Sequence, residues 1–337
     1  MRAVVLVGGF GTRLRPLTLK TPKQMLPIAG ETMLERVIRH LGEAGVERVV
    51  LSLGYRPEAF TSAFPDGRCA GVDLTYAVEP EPLDTAGAIA FAARSAGFEE
   101  TFLALNGDVL TELDLAGMLT AHQSSDAAAT IALTPVDDPS RYGVVVADAS
   151  GRVSAFVEKP PRESAPSNWI NAGTYVLEPS VLDLIPAGLP TSIERSVFPV
   201  LVERGAVRAV SSEAYWVDAG TPETYLSANL DLIDGTRRES GVAVHPTAVV
   251  HRDAVVTHSV VGAGAVIEAG ATVVGSVVMD SCRLGAGSQV SGSVIGGGTV
   301  IGRRSSVSNG SVVGYGQVLP DGYRLDGSVL PAEEEWS

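Results

Sequence analysis

Short apolar runs and amphipathic stretches alternate through the first two thirds of the chain. Ala3–Val7 is an unbroken apolar run, the signature of a strand buried on both faces, and glycines follow it. Thr32–Ala44 carries Met33, Leu34, Val37, Ile38 and Leu41, a spacing that predicts an amphipathic helix. The same reading predicts strands over Arg48–Leu53, Leu74–Val78 and Phe102–Leu105, a short helix after Pro57, and a helix over Ala86–Ala96. Strand, helix, strand in repetition is the pattern of a parallel sheet with helices on both faces. Beyond about residue 127 the strands follow one another directly, over Ala129–Leu133, Gly143–Val146, Val153–Val157 and Ala172–Leu177. A mixed sheet is expected there, with helices returning at Ser192–Glu203 and Pro222–Ile233.

Asp234-Gly235 and the polar residues after them read as a linker, and past it the period changes. Val256, Val273, Val290 and Val307 lie 17 residues apart. So do Val244, Val261, Val278, Ile295 and Val312, and so do Val250, Ile267, Leu284, Ile301 and Val318. The series interleave in steps of 6, 6 and 5, with Gly, Ala and Ser between them. That predicts a triangular, left-handed parallel β-helix whose inward residues stack on their equivalents one coil away. The expected architecture is α/β: a Rossmann-like mixed-sheet domain over 1–235, then a β-helix over 241–330. The tail Glu333-Glu334-Glu335 has no apolar content and is expected to fray.

Charge narrows the function. The net charge of −14 excludes a nucleic-acid binder working through a broadly basic surface. No apolar run approaches the ~18–20 residues of a membrane span, and Ala3–Val7 is too short for a signal-peptide core. Cys69 and Cys282 make neither a disulfide framework nor a zinc set. A soluble cytoplasmic protein is expected. Against this acidic background, residues 1–30 hold Arg2, Arg13, Arg15, Lys20 and Lys23 and no acid. An isolated basic segment in an acidic chain points to a focused anion site. Of the chain's three lysines, Lys20 reads as an ordinary loop residue; the others are Lys23 and Lys159.

The loop after the first strand runs Gly8-Gly9-Phe10-Gly11-Thr12-Arg13-Leu14-Arg15-Pro16-Leu17-Thr18, then Thr21-Pro22-Lys23. Glycines let backbone N–H groups approach an anion, and the arginines and lysine add the charge that phosphates require. It is neither a P-loop nor the dinucleotide Gly-x-Gly-x-x-Gly fingerprint. Asp108 and Asp218 each follow an apolar run, where open α/β sheets place ligands.

This loop resembles the nucleotide-binding loop of the sugar-phosphate nucleotidylyltransferases (NDP-sugar pyrophosphorylases). Leu105-Asn106-Gly107-Asp108, Tyr142-Gly143-Val144-Val145, Glu158-Lys159-Pro160, Asn171-Ala172-Gly173 and Trp216-Val217-Asp218 agree with it, and the family also carries β-helix tails. Within the family the chain looks most like the mannose-1-phosphate guanylyltransferases, through Glu81-Pro82-Leu83 with Thr85-Ala86-Gly87, Ile170-Asn171-Ala172-Gly173 and Thr191-Ser192-Ile193-Glu194. That branch often has Gly where this chain has Asp84. The resemblance implies transfer of a nucleotidyl group from an NTP, GTP favoured, to a sugar 1-phosphate, mannose 1-phosphate favoured. It implies Arg15, Lys23, Asp108, Lys159 and Asp218 as catalytic residues. Gly8, Gly9, Gly11, Thr12, Arg13 and Gly87 would hold the nucleotide; Gly143, Glu158 and Asn171, with Lys159, the sugar phosphate. Asp108 and Asp218 would hold Mg²⁺, two hard oxygen ligands suiting an ion that keeps several waters.

Other readings are a glucose- or cyclitol-1-phosphate thymidylyl- or guanylyltransferase, and a regulatory homologue that binds a nucleotide sugar without turnover. His245, His251 and His258 raise a third, acyl transfer from the β-helix, with no second feature behind it. His40 and His122 are expected on helices, solvated or half-buried. The β-helix is expected to serve self-association, making the protein a homo-oligomer.

Overall fold

A computed structural model describes residues 1–336 of the chain. They pack as two compact units: Met1–Gly9 with Leu34–Trp216, and Phe10–Met33 with the chain from Val217 onward.

The first unit is built on a ten-stranded sheet. Its strands include β1 (Arg2–Leu6), β2 (Arg48–Leu53), β3 (Val72–Val78), β4 (Phe102–Asn106), β5 (Ala129–Pro135), β6 (Gly143–Ala147), β7 (Val153–Glu158), β8 (Trp169–Leu177) and β9 (Val207–Ser211). β1 lies between β2 and β4, parallel to both, with Val4 opposite Val50 and Ala104. β3 extends the parallel part beyond β2. Because these strands run the same way, Gly8, Glu79 and Asp108, which follow β1, β3 and β4, emerge at the same edge of the sheet. Helices α1 (Met33–Glu43), α2 (Pro57–Ala63), α3 (Asp84–Ser95) and α4 (Leu115–Gln123) connect the strands, and α3 buries Ala86, Ile89, Ala90 and Ala93 in the main core.

The mixed part begins at β8, antiparallel to β4 and β5. Its register breaks between Asn171 and Tyr175, where Gly173 takes φ +73° and lies so close to Asn106 that a Cβ would stand 2.6 Å from its Nδ2. Beyond this bulge β8 pairs with β4; before it, Ile170 pairs with Val144 of β6. The bulge thus opens the sheet between β4 and β6. Where one helix is expected over Ser192–Glu203, the chain makes a π-helical turn over Ile193–Val197 and then α5 (Phe198–Glu203). Pro199 has no N–H to continue a regular ladder through this junction.

In the second unit, α6 (Pro222–Asp231) starts from a capping box between Thr221 and Thr224. Buried Asn229 on α6 accepts from Ala29 N–H at 2.8 Å, and the Tyr225 hydroxyl donates to the Pro27 carbonyl. These bonds fasten the hairpin of Pro27–Ile28 and Glu31–Thr32 to α6.

The β-helix then stacks three five-stranded parallel sheets, the three-sided form expected of the left-handed class. Val256, Val273, Val290 and Val307 stack as predicted, and so do Val261, Val278 and Ile295. The next steps correct the sequence reading. Ile295 pairs with Val313, not Val312, and Ile301 with Leu319, not Val318, which points outward and is 73% exposed. One extra residue enters between Val307 and Val313, at a corner where Asn309 and Gly310 both take positive φ. The acidic tail does not fray as expected but makes a 3₁₀ turn over Glu333–Glu335, with the Trp336 indole donating to the Pro331 carbonyl at 3.0 Å.

Candidate active site

In the second unit the basic loop is held by its own backbone. Gly11 takes φ +63°, its carbonyl accepts from the Thr18 hydroxyl at 2.7 Å, and Thr12–Leu14 form a 3₁₀ turn. A Cβ on Gly11 would press to 3.1 Å on both Thr18 and Lys23, so glycine is required by conformation and by space. Leu14 and Leu17 are buried and anchor the loop. Arg13 reaches Asp218 Oδ2 at 3.6 Å and Lys23 Nζ reaches Oδ1 at 3.7 Å, so two cations share one carboxylate. Lys23 is buried and Arg13 exposed. A side chain on Gly220 would collide with both, its Cβ 2.6 Å from Asp218 Oδ1 and 2.7 Å from the Arg13 guanidinium. Arg15 is half-buried, and its guanidinium makes no ion pair or hydrogen bond among the described residues.

In the first unit, Gly8 lies against Gly54 and Glu79; a Cβ on it would stand 3.3 Å from Gly54 N and from Glu79 Oε1. The glutamate accepts from Ser52 Oγ at 2.9 Å and from Leu83 N–H at 3.0 Å, bracing the loop that leads into α3. Sequence reading missed Glu79, although its place directly after a parallel strand is a usable signal. Asp108 is half-buried behind Gly107, whose N–H bonds to Leu6 O at 2.9 Å and whose missing side chain lets this turn close onto β1.

Gly143 and Glu158 face each other across β6 and β7. A Cβ on Gly143 would meet the Phe156 ring at 2.5 Å and Glu158 Oε2 at 3.0 Å. Lys159 takes φ +48°, its N–H bonds to Tyr142 O at 3.0 Å, and its exposed ammonium sits 3.1 Å from Glu158 Oε1. Asn171 spans the β8 bulge, donating to the Tyr175 hydroxyl at 2.8 Å and accepting from Gly173 N–H at 3.0 Å. Burial pushes the Tyr175 phenol well above its ordinary range, so it stays a neutral support for Asn171. The Trp216 indole closes the bulge through a 2.9 Å bond to Ala172 O. The structure therefore brings Gly143, Glu158 and Lys159 together on one hairpin and fixes Asn171 by its own strand.

Gly87 lies in a turn bonded to the segment around Thr191. Its N–H and that of Ala86 donate to Thr191 O, and a Cβ on Gly87 would lie 2.9 Å from Leu189 O. The Thr85 hydroxyl donates to Glu194 at 2.9 Å and accepts from Ile193 N–H at 2.8 Å. The segments Thr85–Gly87 and Thr191–Glu194, far apart in sequence, are thus one bonded unit. Asp84 takes φ +59°, a conformation that glycine adopts without strain, and it pairs with Arg195 at 2.7 Å.

Among the described residues no three His, Cys, Asp or Glu side chains gather as a metal cage. One or two carboxylates, such as Asp108 and Asp218, suit an ion that keeps waters and takes its other oxygens from substrate phosphates. The donor chemistry fits Mg²⁺ better than a soft metal. Of the histidines, His122 is fully buried on α4, between Thr130 Oγ1 at 2.8 Å and Glu178 at 2.9 Å, a core position and not the solvated or half-buried one expected.

A sheet with a glycine-rich basic loop beyond its first strand, acids beyond later strands and a β-helix later in the chain defines a phosphate-handling α/β protein. The sequence profile described as "Nucleotidyl transferase" matches residues 2–235, and the profile described as "GMPPB C-terminal domain" matches 239–334. The chain belongs to the nucleotidyl transferase family, which generally uses a divalent metal. It is 41% identical to the mannose-1-phosphate guanylyltransferase of Mycobacterium tuberculosis, covering 84% of this chain and 81% of that one. It is 40% identical to the probable mannose-1-phosphate guanylyltransferase 3 of Oryza sativa subsp. japonica, over 84% and 80%. Among solved structures, HddC from Yersinia pseudotuberculosis, also solved in complex with GMP-PN, matches with a TM-score of 0.59 and 32% identity. That match covers 68% of this chain and 98% of HddC.

Proposed function

We propose that the protein transfers the nucleotidyl group of an NTP to a sugar 1-phosphate, with GTP and mannose 1-phosphate the favoured pair, releasing pyrophosphate. An oxygen of the sugar phosphate attacks the α-phosphorus, a new P–O bond forms, and the bond to the β-phosphate oxygen breaks. The attacking oxygen is already ionised near neutral pH, so alignment and charge neutralisation carry the catalysis. The observation that carries this reading is the loop itself, where the Arg15 guanidinium has no partner among the described residues while Arg13 and Lys23 converge on Asp218.

Arg15 stabilises the departing pyrophosphate, with Arg13 and Lys23 assisting. The backbone around Gly8, Gly9, Gly11 and Thr12 cradles phosphate, and Gly87 shapes the wall beside the nucleotide. Lys159 aims the sugar phosphate, Glu158 and Asn171 bind sugar hydroxyls, and Gly143 admits the sugar close to the backbone. Asp108 and Asp218 would hold Mg²⁺, which supplies Lewis-acid neutralisation of the reacting phosphates when bound. The preference for guanine and mannose rests on the names of the relatives. We also read the protein as cytoplasmic, where nucleotides and sugar phosphates are found; no helix among the described residues is long and apolar enough to cross a membrane.

A pyrophosphate-release panel tests the proposal, pairing each NTP with mannose, glucose and N-acetylglucosamine 1-phosphates, with and without Mg²⁺. Strongest release is expected from GTP with mannose 1-phosphate, and none without the metal. Silence on every pair would favour an effector-binding protein.

A further inference from the structure

Two polar side chains of the first unit have no part in the reaction described above. One is Glu194, in the π-helical turn before α5. Its Oε2 accepts from the Thr85 hydroxyl at 2.9 Å and from the Ser192 hydroxyl at 2.8 Å. Both hydroxyls are themselves fixed, that of Thr85 by Ile193 N–H at 2.8 Å and that of Ser192 by Arg195 N–H at 3.2 Å. The carboxylate is therefore held in one orientation, and its second oxygen has no bond among the described residues. No cation among them pairs with it; Arg195, next in the chain, is committed to Asp84 at 2.7 Å.

The other is Asn106, the last residue of β4. Ala104 and Tyr175 are register partners in the main core, and Asn106, two residues on, leaves the sheet from that same face near the edge where Asp108 emerges. Its amide lies against Gly173, where a Cβ would stand 2.6 Å from Nδ2 and 3.1 Å from Cγ. The glycine thus makes the space that the amide fills. The side chain is half-buried and forms no hydrogen bond among the described residues.

Tyr175 and Gly173 link both groups to Asn171, which donates to the Tyr175 hydroxyl at 2.8 Å and accepts from Gly173 N–H at 3.0 Å. Burial does most to raise the Tyr175 phenol, and the charges of Glu194 and Glu158 raise it further, so both carboxylates stand near that hydroxyl. Around one neutral phenol the chain therefore sets two acceptors, Glu158 and Glu194, and two amides that both donate and accept, Asn171 and Asn106. Two carboxylates repel a phosphate, whereas a ring carrying several hydroxyls finds a partner for each.

We propose that Glu194 and Asn106 bind hydroxyls of the sugar 1-phosphate, the open glutamate oxygen accepting from one hydroxyl and the amide bonding a neighbouring one. The inference rests on the transfer reading above, in which Glu158 and Asn171 hold the same sugar. It gives the bonded unit of Thr85–Gly87 and Thr191–Glu194 a task, which is to carry a sugar-binding carboxylate at a fixed place.

Titration calorimetry tests it, with mannose 1-phosphate added to the full chain in Mg²⁺ and a GTP analogue bridged by methylene between its α- and β-phosphates. The unsubstituted protein is compared with Glu194→Gln and Asn106→Ala. Glutamine keeps an oxygen for Thr85 and Ser192 and puts an amide in place of the open oxygen. The dissociation constant for the sugar phosphate should rise about tenfold in Glu194→Gln and about threefold in Asn106→Ala. That for the GTP analogue should change less than twofold, and both melting temperatures should hold. With the 2-, 3-, 4- and 6-deoxy forms of mannose 1-phosphate, the Glu194→Gln penalty should vanish for the one whose missing hydroxyl the glutamate binds. A penalty equal on all four, or one that falls on the GTP analogue, overturns the proposal. Pyrophosphate release by the unsubstituted protein with an affinity indifferent to both substitutions overturns this inference alone. Sugar-phosphate binding that weakens in Glu194→Gln but never leads to pyrophosphate release overturns the transfer reading alone, and no binding at all overturns both.

Discussion

Arg15 and Lys23 belong to one basic loop but stand in different surroundings. Lys23 is buried against Asp218, while the Arg15 guanidinium has no ion pair among the described residues. Losing Lys23 leaves a carboxylate short of a partner, so Lys23→Ala should cost about 2 kcal/mol of stability. The figure lies below that for a sealed pair because the Asp218 side chain stays 20% exposed. Arg15→Ala should leave the melting temperature in place and lower kcat about 10²–10³-fold, as when one stabiliser of transition-state charge is removed. Denaturation and pyrophosphate release on the two variants check both outcomes; a normal kcat in Arg15→Ala would remove its assigned role. At Asp84 two small effects oppose each other. Its positive φ costs about 1 kcal/mol relative to glycine, and the exposed pair with Arg195 contributes about 0.5 kcal/mol. Asp84→Gly is therefore expected to shift the melting temperature by no more than about 2 °C.

Among elements, the Thr101–His122–Glu178 network ties the start of β4, α4 and the end of β8 together. Burial pushes the Glu178 carboxyl up, but hydrogen bonds from Thr101 and His122 outweigh it and hold the group below its ordinary 4.5. A carboxylate depressed on folding stabilises the protein above its unfolded value, and that contribution is lost as pH falls through the folded value. Glu178→Gln should accordingly melt lower than the unsubstituted protein at pH 7, with the gap narrowing as pH falls below 4.5. A gap that stays constant with pH contradicts this. The β-helix shows how far sequence pattern reaches. Its 17-residue period is legible because each coil must place branched apolar residues inward. The extra residue at Asn309 is not, because outward Val312 and Val318 adjoin inward Val313 and Leu319, and residue type fits either register. Deleting Asn309 should restore a 17-residue coil and keep the fold. Deleting Gly292 would shorten a regular coil, and its melting temperature should fall well below that of the Asn309 deletion.

For the whole molecule, alternating strands and helices disclose the parallel part of the sheet, and the charge distribution singles out the basic loop. The bulge that sets Asn171 and the bonding of Thr85–Gly87 to Thr191–Glu194 are tertiary, joining segments whose order in the sequence says nothing of their meeting. Gly87 is an example: its N–H donates to Thr191, a contact that the sequence does not announce. The central claim is that this assembly turns a nucleoside triphosphate and a sugar phosphate into a nucleotide sugar. Phosphorus NMR of the protein with GTP, mannose 1-phosphate and Mg²⁺ tests it most directly. The account predicts that the three GTP resonances decay while one pyrophosphate and one sugar-linked diphosphate appear for each GTP consumed, only when all three components are present. Unchanged GTP, or inorganic phosphate in place of pyrophosphate, would contradict it.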